Sequence, residues 1–401
     1  MSFFPSIPLP PRQAQDVTCT FIGATFSTLI TAIELAKAGF SVQILEKQSC
    51  LGMGDTGKTL LPASLSFTDN LFRLTASLGK ENCELFYRVM QLGLEYLKNN
   101  QLLRGQNALE IAMNETEHME LQKSLHISSD MSLSGFPKTY DFQDNLQKMF
   151  PFALYYSNQG YIEGYEVFEH LLHLALEQNI SIVPNTTVFS FEQSKGKIIL
   201  HHSQGSCSSD ILFLGAGMGN RELDVFFQDK LTPIRSQMMA IPHQTPNLNM
   251  MCEAQYGYIQ FRDTYNGTNM YRLLSGCRWA TPHLEVGEEK EEVIEAISQA
   301  QWRFAQKYFP FCSPDQNIDP DKQIQWSAIQ THSCDGLPIV GPLPGREHIY
   351  SLCGFRDRQA TLGIGAALLL CHSLLGNDTE NTTTQKNITF IPSFMLPRRF
   401  L

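Results

Sequence analysis

The hydrophobic pattern near the start of the chain predicts a strand, a helix and a second strand. Val17 to Ile22 form a short apolar run with β-branched residues, which is typical of a buried strand. A turn at Gly23 leads into Ser27 to Gly39, where apolar residues recur at helical spacing. Ser41 to Glu46 form a second apolar run that ends on an acid. This order of elements is the βαβ unit that binds dinucleotides.

The glycine fingerprint of this unit is altered. The three glycine positions of G-x-G-x-x-G are occupied by Gly23, Thr25 and Thr28. The second glycine normally lets the backbone approach the pyrophosphate, and the third lets the helix pack closely on the strand. Glu46 stands where a carboxylate would reach the adenosine ribose hydroxyls. We expect these four residues to hold the ADP half of a dinucleotide, and a βαβ unit that binds nothing is the alternative.

A second glycine-rich stretch follows. "GMGDTGKT", Gly52 to Thr59, matches the phosphate-loop pattern G-x-x-x-x-G-K-T. A genuine phosphate loop joins a strand directly to a helix whose first turn carries the Lys and Thr. Here Gln48 to Leu51 intervene, and Pro62 follows in a stretch without helical periodicity. We therefore interpret the match as accidental and predict a loop that passes over the adenosine and pyrophosphate of a dinucleotide.

Composition narrows the class of protein. A chain of 401 residues suits two domains. The formal net charge of -10 disfavours a broad nucleic-acid surface, which needs clustered Lys and Arg. Ten cysteines without a C-x-x-C pair indicate reduced thiols and a cytoplasmic protein. No metal site is predicted.

Two further helices are predicted towards the C-terminus. The apolar stretch from Leu362 to Leu375 is too short to span a bilayer and predicts a buried helix, so no membrane span is expected. Glu285 to Phe309 predict a helix with a charged face and a core stripe of Val293, Ile297 and Trp302.

Several segments, in chain order, carry a resemblance to a known family. They are the N-terminal βαβ unit, "LGMGDTGKTLLPASLSF", "ILFLGAGMGN", "DGLPIVGPLPG" and "IYSLCGFRDRQATLGIGAALLLCHSLLG". Together they resemble the FAD-dependent D-amino-acid oxidase superfamily, in particular its glycine-oxidase and sarcosine-oxidase-like branch. The similarity covers nearly the whole chain, and "DGLPIVGPLPG" is its most recognisable motif.

The resemblance implies a fold class and a domain division. The fold would be α/β with an α+β substrate part, in which a Rossmann-like FAD domain is interleaved with a mixed-sheet substrate domain. Residues 1–75, 151–230 and 326–401 would form the FAD domain, and residues 76–150 and 231–325 the substrate domain. The implied chemistry is hydride removal from a C–N bond, with the flavin carrying the redox step.

The resemblance also implies cofactor contacts beyond the first βαβ unit. Gly52, Gly57, Lys58 and Thr59 would lie over the nucleotide, with Lys58 in reach of a phosphate. Gly354, Arg356, Asp357, Arg358 and Thr361 would border the isoalloxazine. Lys47, Val188 and Gly215 complete the predicted cofactor-binding set.

Two departures from the family pattern affect the predicted substrate. The family's "W-x-G-L-R" appears as "WSAIQ", so Gln330 stands at the position of the arginine that binds the substrate carboxylate. An Arg fork binds a carboxylate through two charged contacts, whereas glutamine offers one neutral amide. Arg278 and Arg262 are candidate replacements. The flavin-facing "G-x-G-x-x-G-L-T" appears as "GFRDRQAT", in which Arg356 and Gln359 replace glycines.

We expect an FAD-dependent oxidoreductase that acts on a small amine or a modified amino acid, with Tyr258, Arg278 and Gln330 bordering the substrate. A non-catalytic or weakly flavin-binding descendant of the fold is a second hypothesis. A tRNA-modifying oxidase of the methylaminomethyl-uridine type is a third, and the acidic net charge opposes it.

Overall fold

The structure is a computed structural model that describes residues 6–66, 69–131, 135, 137–139, 150, 152–245, 248–254, 259–278, 280–312, 323–376 and 390–401. Elements are numbered in chain order within these residues. The strands are β1 (Ile7–Pro8), β2 (Val17–Ile22), β3 (Val42–Leu45), β4 (Cys50–Leu51), β5 (Pro62–Ala63), β6 (Asn107–Ala112), β7 (Lys138–Thr139), β8 (Phe152–Ser157), β9 (Gly160–Tyr161), β10 (Ser181–Val183), β11 (Val188–Ser194), β12 (Lys197–His202), β13 (Gly205–Leu214), β14 (Leu231–His243), β15 (Met250–Ala254), β16 (Ile259–Asn266), β17 (Asn269–Ser275), β18 (Ile324–Ser333), β19 (Ile339–Pro342) and β20 (Ile349–Cys353). The helices are α1 (Phe26–Lys37), α2 (Asp55–Lys58), α3 (Leu71–Leu78), α4 (Lys80–Asn99), α5 (Glu115–Ser129), α6 (Gly164–Glu177), α7 (Asn220–Leu223), α8 (Pro282–Glu285), α9 (Glu295–Tyr308) and α10 (Ile364–Leu375), with a π-helical turn at Gln359–Gly363 before α10.

The first of two large sheets contains the predicted βαβ unit. Its strand order is β10-β3-β2-β13-β12-β11, with β20 beside β13 and β19 beside β20. β2 runs parallel to both β3 and β13, and Phe21 of β2 stacks on Phe213 of β13 with ring centroids 4.3 Å apart. Because β2 and β3 are parallel, α1 crosses between them as the hydrophobic pattern predicted.

Helices α1, α4 and α10 pack together on this sheet with very close backbones. A Cβ atom on Gly93 of α4 would lie 1.9 Å from the carbonyl oxygen of Thr361, and one on Gly365 of α10 would lie 1.9 Å from the carbonyl oxygen of Val89. Only glycine allows this approach. The contact holds the turn at Gln359–Gly363 against α4, which positions the loop that precedes it.

The second large sheet is mixed. Its strand order is β18-β14-β17-β16-β15-β6-β8-β7, and all neighbours are antiparallel except β15 and β6. One face packs on α9 through an aromatic cluster that includes Phe261 and Phe304. The predicted α/β fold with a second, mixed-sheet part is confirmed. Strand pairing places β8 and β18 in this second sheet, while the exact domain limits stay a prediction.

The predicted helix from Glu285 to Phe309 is wrong in its first part. α9 begins at Glu295, and Val293 is exposed rather than part of a core stripe. Gly287 takes a φ of +83°, and a run of acids follows it, so helical backbone is interrupted there. The predicted buried helix at Leu362 to Leu375 forms as the π-helical turn and α10. Among the residues that the structure describes, no helix combines the length and apolar character needed to cross a bilayer.

Candidate cofactor and substrate site

The turn after β2 is built for a close backbone approach. Gly23 has a φ of +91°, and a Cβ atom there would lie 2.8 Å from the carbonyl oxygen of Gly215. Its N–H donates to the carbonyl of Leu45 at 2.9 Å, while the N–H of Gly215 donates to the carbonyl of Ile22 at 3.0 Å. The turn is therefore held between the carboxyl ends of β3 and β13, where doubly wound sheets place their ligands.

Thr25 and Thr28 form a capping box at the start of α1. The Thr25 hydroxyl accepts the N–H of Thr28 at 3.3 Å, and the Thr28 hydroxyl accepts the N–H of Thr25 at 2.8 Å. Each threonine thus satisfies a backbone donor that the helix itself leaves unpaired. The third glycine of the fingerprint is replaced without a clash because Gly215 faces it: a Cβ atom on Gly215 would lie 2.2 Å from Cγ2 of Thr28.

Glu46 lies immediately after β3 and points towards the start of α1. Its carboxylate accepts the N–H of Ala24 at 2.7 Å and that of Gln48 at 2.8 Å. Burial raises the pKa of Glu46, and these two hydrogen bonds oppose the rise. The backbone of Glu46 also pairs with Val183 and Thr186, which brings the start of β11 at Val188 to the same edge of the sheet. Lys47 is exposed beside it.

Residues 52–59 form a compact turn rather than a phosphate loop. A Cβ atom on Gly57 would lie 2.1 Å from the carbonyl oxygen of Gly52, so two glycines pack backbone to backbone. α2 ends at Lys58, so the long helix that follows a genuine phosphate loop does not form. The Lys58 ammonium pairs with Glu291 at 2.6 Å, and the Thr59 hydroxyl donates to the carbonyl of Asp55 at 3.2 Å.

The segment predicted to face the flavin, Gly354 to Thr361, keeps glycine-like backbone at Arg356, where the family pattern has glycine. Gly354 has a φ of +78° and Arg356 a φ of +57°, the left-handed region that side chains rarely adopt. Arg356 Nε donates to His332 Nδ1 at 3.1 Å. The arginine therefore adopts a backbone conformation that favours glycine and directs its side chain to β18.

Gln359, at the third glycine position of this segment, bridges to α2. Its Nε2 donates to Asp55 Oδ2 at 3.1 Å, and its Oε1 accepts the Thr56 hydroxyl at 2.5 Å. Burial raises the pKa of Asp55 to about 6, while hydrogen bonds from Thr56 and Gln359 lower it. The bridge joins the π-helical turn before α10 to α2, which belong to two segments predicted to contact the cofactor.

Asp357 and Arg358 attach the same segment to the second sheet. Arg358 pairs with Glu253 at 2.8 Å, and their side chains are only 1% and 3% exposed. Gln260 donates to both Glu253 and Asp357, at 3.1 and 2.6 Å. The hydroxyls of Ser64 and Ser66, which follow β5, also donate to Glu253. These contacts pair the carboxylate of Glu253, the anionic half of the buried ion pair, as a buried charge requires.

The predicted substrate residues lie in different settings. Gln330 is buried on β18 opposite Ile234. Arg278, just after β17, donates to Glu285 at 3.3 Å, and burial raises the pKa of Glu285 to about 7. Tyr258 lies outside the described residues.

Arg262 does not replace the missing arginine at position 330. Its guanidinium binds both oxygens of Glu163, at 2.7 and 3.0 Å, and stacks on the ring of Tyr161. It is fully buried and serves a structural ion pair. Thr361 is also buried, with its carbonyl against α4.

Sequence reasoning assigned no binding role to three residues at this site: Asp55, Glu253 and His332. His332 is two positions after Gln330 on the same strand, and alternation along a strand puts both on one face. That spacing was a usable signal. Asp55 and Glu253 had none, because their partners lie far away in the chain.

The family follows from a direct comparison. A family model described as FAD dependent oxidoreductase, abbreviated DAO, matches residues 22–373. The chain belongs to this family. FAD is thus its cofactor, and the predicted family, fold and cofactor are confirmed. No curated protein matches the chain in sequence.

Solved structures of other DAO-like proteins share the fold at low sequence identity. Glycine oxidase from Geobacillus kaustophilus is 15% identical, with a TM-score of 0.72. The match covers 95% of this chain and 99% of the glycine oxidase chain. L-proline dehydrogenase from P. horikoshii is 14% identical with a TM-score of 0.75, covering 97% and 98%. L-alpha-glycerophosphate oxidase from Mycoplasma pneumoniae, solved with FAD bound, is 13% identical with a TM-score of 0.69, covering 94% and 100%.

The residues of this DAO-family chain fit an FAD at the ADP end. Gly23 and Gly215 leave a side-chain-free cradle at the start of α1, and a carboxylate follows β3 as ribose hydroxyls require. At the flavin end, Gly354 and Arg356 retain the glycine-type loop path. The residues that stand at glycine positions in both segments make specific hydrogen bonds.

Proposed function

We propose that this DAO-family oxidoreductase oxidises a C–N bond of a small amine or a modified amino acid. The observation that carries the proposal is the flavin-facing segment, Gly354 to Thr361. Despite two lost glycines it keeps a left-handed backbone at Arg356 and is anchored to the second sheet by the buried Arg358–Glu253 pair. Burying this ion pair costs desolvation free energy, and the contact holds the segment in place. We take this as support for a retained redox site.

The substrate class draws support from the solved structures of similar fold. Two of them are named for action on glycine and on L-proline, and one for action on glycerophosphate. Fold similarity alone does not determine a substrate. The amine assignment is therefore the part of this proposal that needs the experiment most.

Residues of the chain take distinct roles in this proposal. Gly23, Thr25, Thr28 and Glu46 hold the ADP half, with Glu46 on the ribose hydroxyls; residues 52–59 with Val188 and Gly215 line the nucleotide; and the segment from Gly354 to Thr361 borders the flavin. When bound, FAD accepts the hydride from the substrate carbon. Gln330 and Arg278 orient the substrate, and the buried β15 and β16 side of the site excludes water.

A second candidate is a descendant of the fold that binds flavin weakly. The capping box favours it, because Thr25 and Thr28 satisfy backbone N–H groups at the helix end that would otherwise face a pyrophosphate. In the first proposal these hydroxyls coexist with the cofactor; in the second they replace its contacts.

Visible absorption of the purified protein separates the two candidates. We expect the two bands of oxidised flavin, and their bleaching when a panel of primary and secondary amines and amino acids is added without oxygen. Glu46→Gln should weaken FAD retention, whereas Glu192→Gln, on the exposed part of β11, should leave it unchanged. A protein that stays colourless and gains no thermal stability when FAD is added would overturn the redox proposal.

A further inference from the structure

An acidic segment of the second sheet reaches elements that belong to the first. Residues 286–294, which we call the acidic arm, lie between α8 and α9 and carry four glutamates and one lysine. The N–H of Gly287 donates to the carbonyl of Pro233 at 2.9 Å, and the N–H of Ile294 donates to the side chain of Gln237 at 2.8 Å. Both partners lie on β14. Each end of the arm is therefore fixed to the second sheet.

A buried arginine fixes the middle of the arm. The side chain of Arg235, on β14, is only 3% exposed, and its Nε and Nη2 both donate to the carbonyl of Lys290 at 3.1 Å. Glu289 and Glu291 are the two neighbours of Lys290 in the chain. An ion pair at the surface gains little when flexible groups must be ordered to form it. Because the backbone between these two acids is already fixed, less freedom is lost when they pair.

The two acids beside Lys290 bind two elements that follow strands of the first sheet. Glu291 pairs with Lys58, the last residue of α2, at 2.6 Å, and Glu289 pairs with Arg221 of α7 at 2.9 Å. Burial raises the pKa of Asp55, at the start of α2, to about 6, and the charge of Glu291 contributes to the rise. The arm therefore acts on α2 and α7 at the same time.

α2 and α7 lie on the two chain segments that flank the turn at Gly23. In the first sheet β2 lies between β3 and β13, and hydrogen bonds tie this turn to the end of β3 and the end of β2 to Gly215 after β13. α2 belongs to the chain that leaves β3, and α7 to the chain that leaves β13. Doubly wound sheets bind their ligands at this edge. The arm thus links both sides of the edge at which FAD, the cofactor of the family, is expected to bind.

We propose that the acidic arm is an ionic latch that retains FAD. The pairs Glu289–Arg221 and Glu291–Lys58 hold α7 and α2 to the second sheet, and FAD leaves when both pairs open. The side chains are 66% and 33% exposed in the first pair and 44% and 25% exposed in the second, so salt weakens both. The latch concerns retention of the cofactor and not the substrate, and it therefore goes beyond the proposed function.

The rate of FAD release from the loaded protein tests the latch. Release after dilution would be followed by the fluorescence of free FAD at about 0.01 M and about 1 M salt, between which the screening length falls from about 30 Å to about 3 Å. At low salt the double variant Glu289→Gln/Glu291→Gln should release FAD about fivefold faster than the wild type, the combined size of two exposed ion pairs. At high salt the rate of the wild type should approach that of the double variant.

The direction of the effect separates a latch from general electrostatics. The pyrophosphate of FAD is negative, so the loss of two negative charges near it would slow release if no latch existed. Glu292→Gln is the matched control, because Glu292 is an exposed acid of the same arm that makes no ion pair with the described residues. This variant should release FAD no faster than the wild type. Arg221→Gln should act as Glu289→Gln does, and the combination of the two should add nothing further.

The outcomes distinguish this inference from the proposed function. Faster release from the double variant, with the melting temperature of the wild type retained, upholds the latch. Equal or slower release from the double variant overturns it, as does equally fast release from Glu292→Gln. If amines bleach the flavin while the double variant releases FAD at the wild-type rate, the C–N chemistry is upheld and the latch is overturned. If release depends on both glutamates and no amine bleaches the flavin, the latch is upheld and the C–N chemistry is overturned. A protein that takes up no FAD overturns both.

Discussion

In two loops, larger residues stand where the family pattern has glycine, and the two loops accommodate these residues in opposite ways. In the turn from Gly23 to Thr28, the new hydroxyls bond to backbone within the same turn, so the change is solved locally. In the segment from Gly354 to Thr361, the new side chains leave their own loop. Arg356 reaches β18 and Gln359 reaches α2.

The difference shows that the length of the replacing side chain decides whether its hydrogen-bond partners are local or on other elements. A threonine hydroxyl is short and competes for nearby backbone groups, which makes it suited to a helix start. Arginine and glutamine are long and carry several donors, so they find partners on other elements. The first loop therefore depends on one small neighbour, Gly215, whereas the second depends on polar partners on α2 and on the second sheet.

The largest effect is expected from removing the positive charge of Arg358, which anchors the second loop. Arg358→Met should lower the free energy of unfolding by about 3–5 kcal/mol, because Glu253 would remain buried without its cation. Urea unfolding followed by circular dichroism measures this. Arg221→Met, which breaks an ion pair with Glu289 whose side chains are 33% and 66% exposed, is the control and should cost at most about 1 kcal/mol. Similar losses for both variants would show that the second loop does not depend on buried partners.

A smaller effect tests the first loop. Gly215→Ala should destabilise the protein by about 1–3 kcal/mol through overpacking, because its new methyl group would meet Cγ2 of Thr28. Thr28→Ser removes that Cγ2 and keeps the hydroxyl of the capping box. The double variant should therefore recover most of the loss in thermal and urea unfolding. If the double variant is no more stable than Gly215→Ala alone, the compensation lies elsewhere.

The smallest effect is the loss of the bridge between Gln359 and Asp55, which also makes stability depend on pH. The folded pKa of about 6 lies above the unfolded value, so the contribution of protonated Asp55 is fully present below about pH 4 and is lost as pH rises through 6. Asp55→Asn should flatten stability between these pH values. Gln359→Ala should cost about 1 kcal/mol and move the window upwards, since the Gln359 amide lowers this pKa.

Unfolding measured from pH 4 to pH 8 decides this prediction. Gln299→Ala, which removes a hydrogen bond to Glu295 on the exposed face of α9, is the control and should leave the pH profile unchanged. A wild-type profile without a change near pH 6 would contradict the prediction.

Local sequence patterns predicted much of the fold and indicated several residues of the candidate site. The βαβ unit, the turn at Gly23 and the acid at Glu46 followed from neighbouring residues, since periodicity and turn chemistry act over short distances. The helix predicted from Glu285 began too early because a regular charge pattern outweighed the break at Gly287. Arg262 and Arg278 looked alike in the sequence, and only the structure placed Arg262 on Glu163 and Arg278 on Glu285.

By itself the sequence determined the doubly wound core, the turn at Gly23 and the loss of glycines in two loops, because these depend on residue order and backbone freedom. Tertiary structure alone decided how those losses are tolerated. Thr28 fits because Gly215 has no side chain, Arg358 is tolerated in the interior because Glu253 is buried beside it, and Arg356 finds an acceptor in His332. Each of these depends on contacts between segments far apart in the chain, and such contacts are set by packing of the two sheets rather than by local pattern.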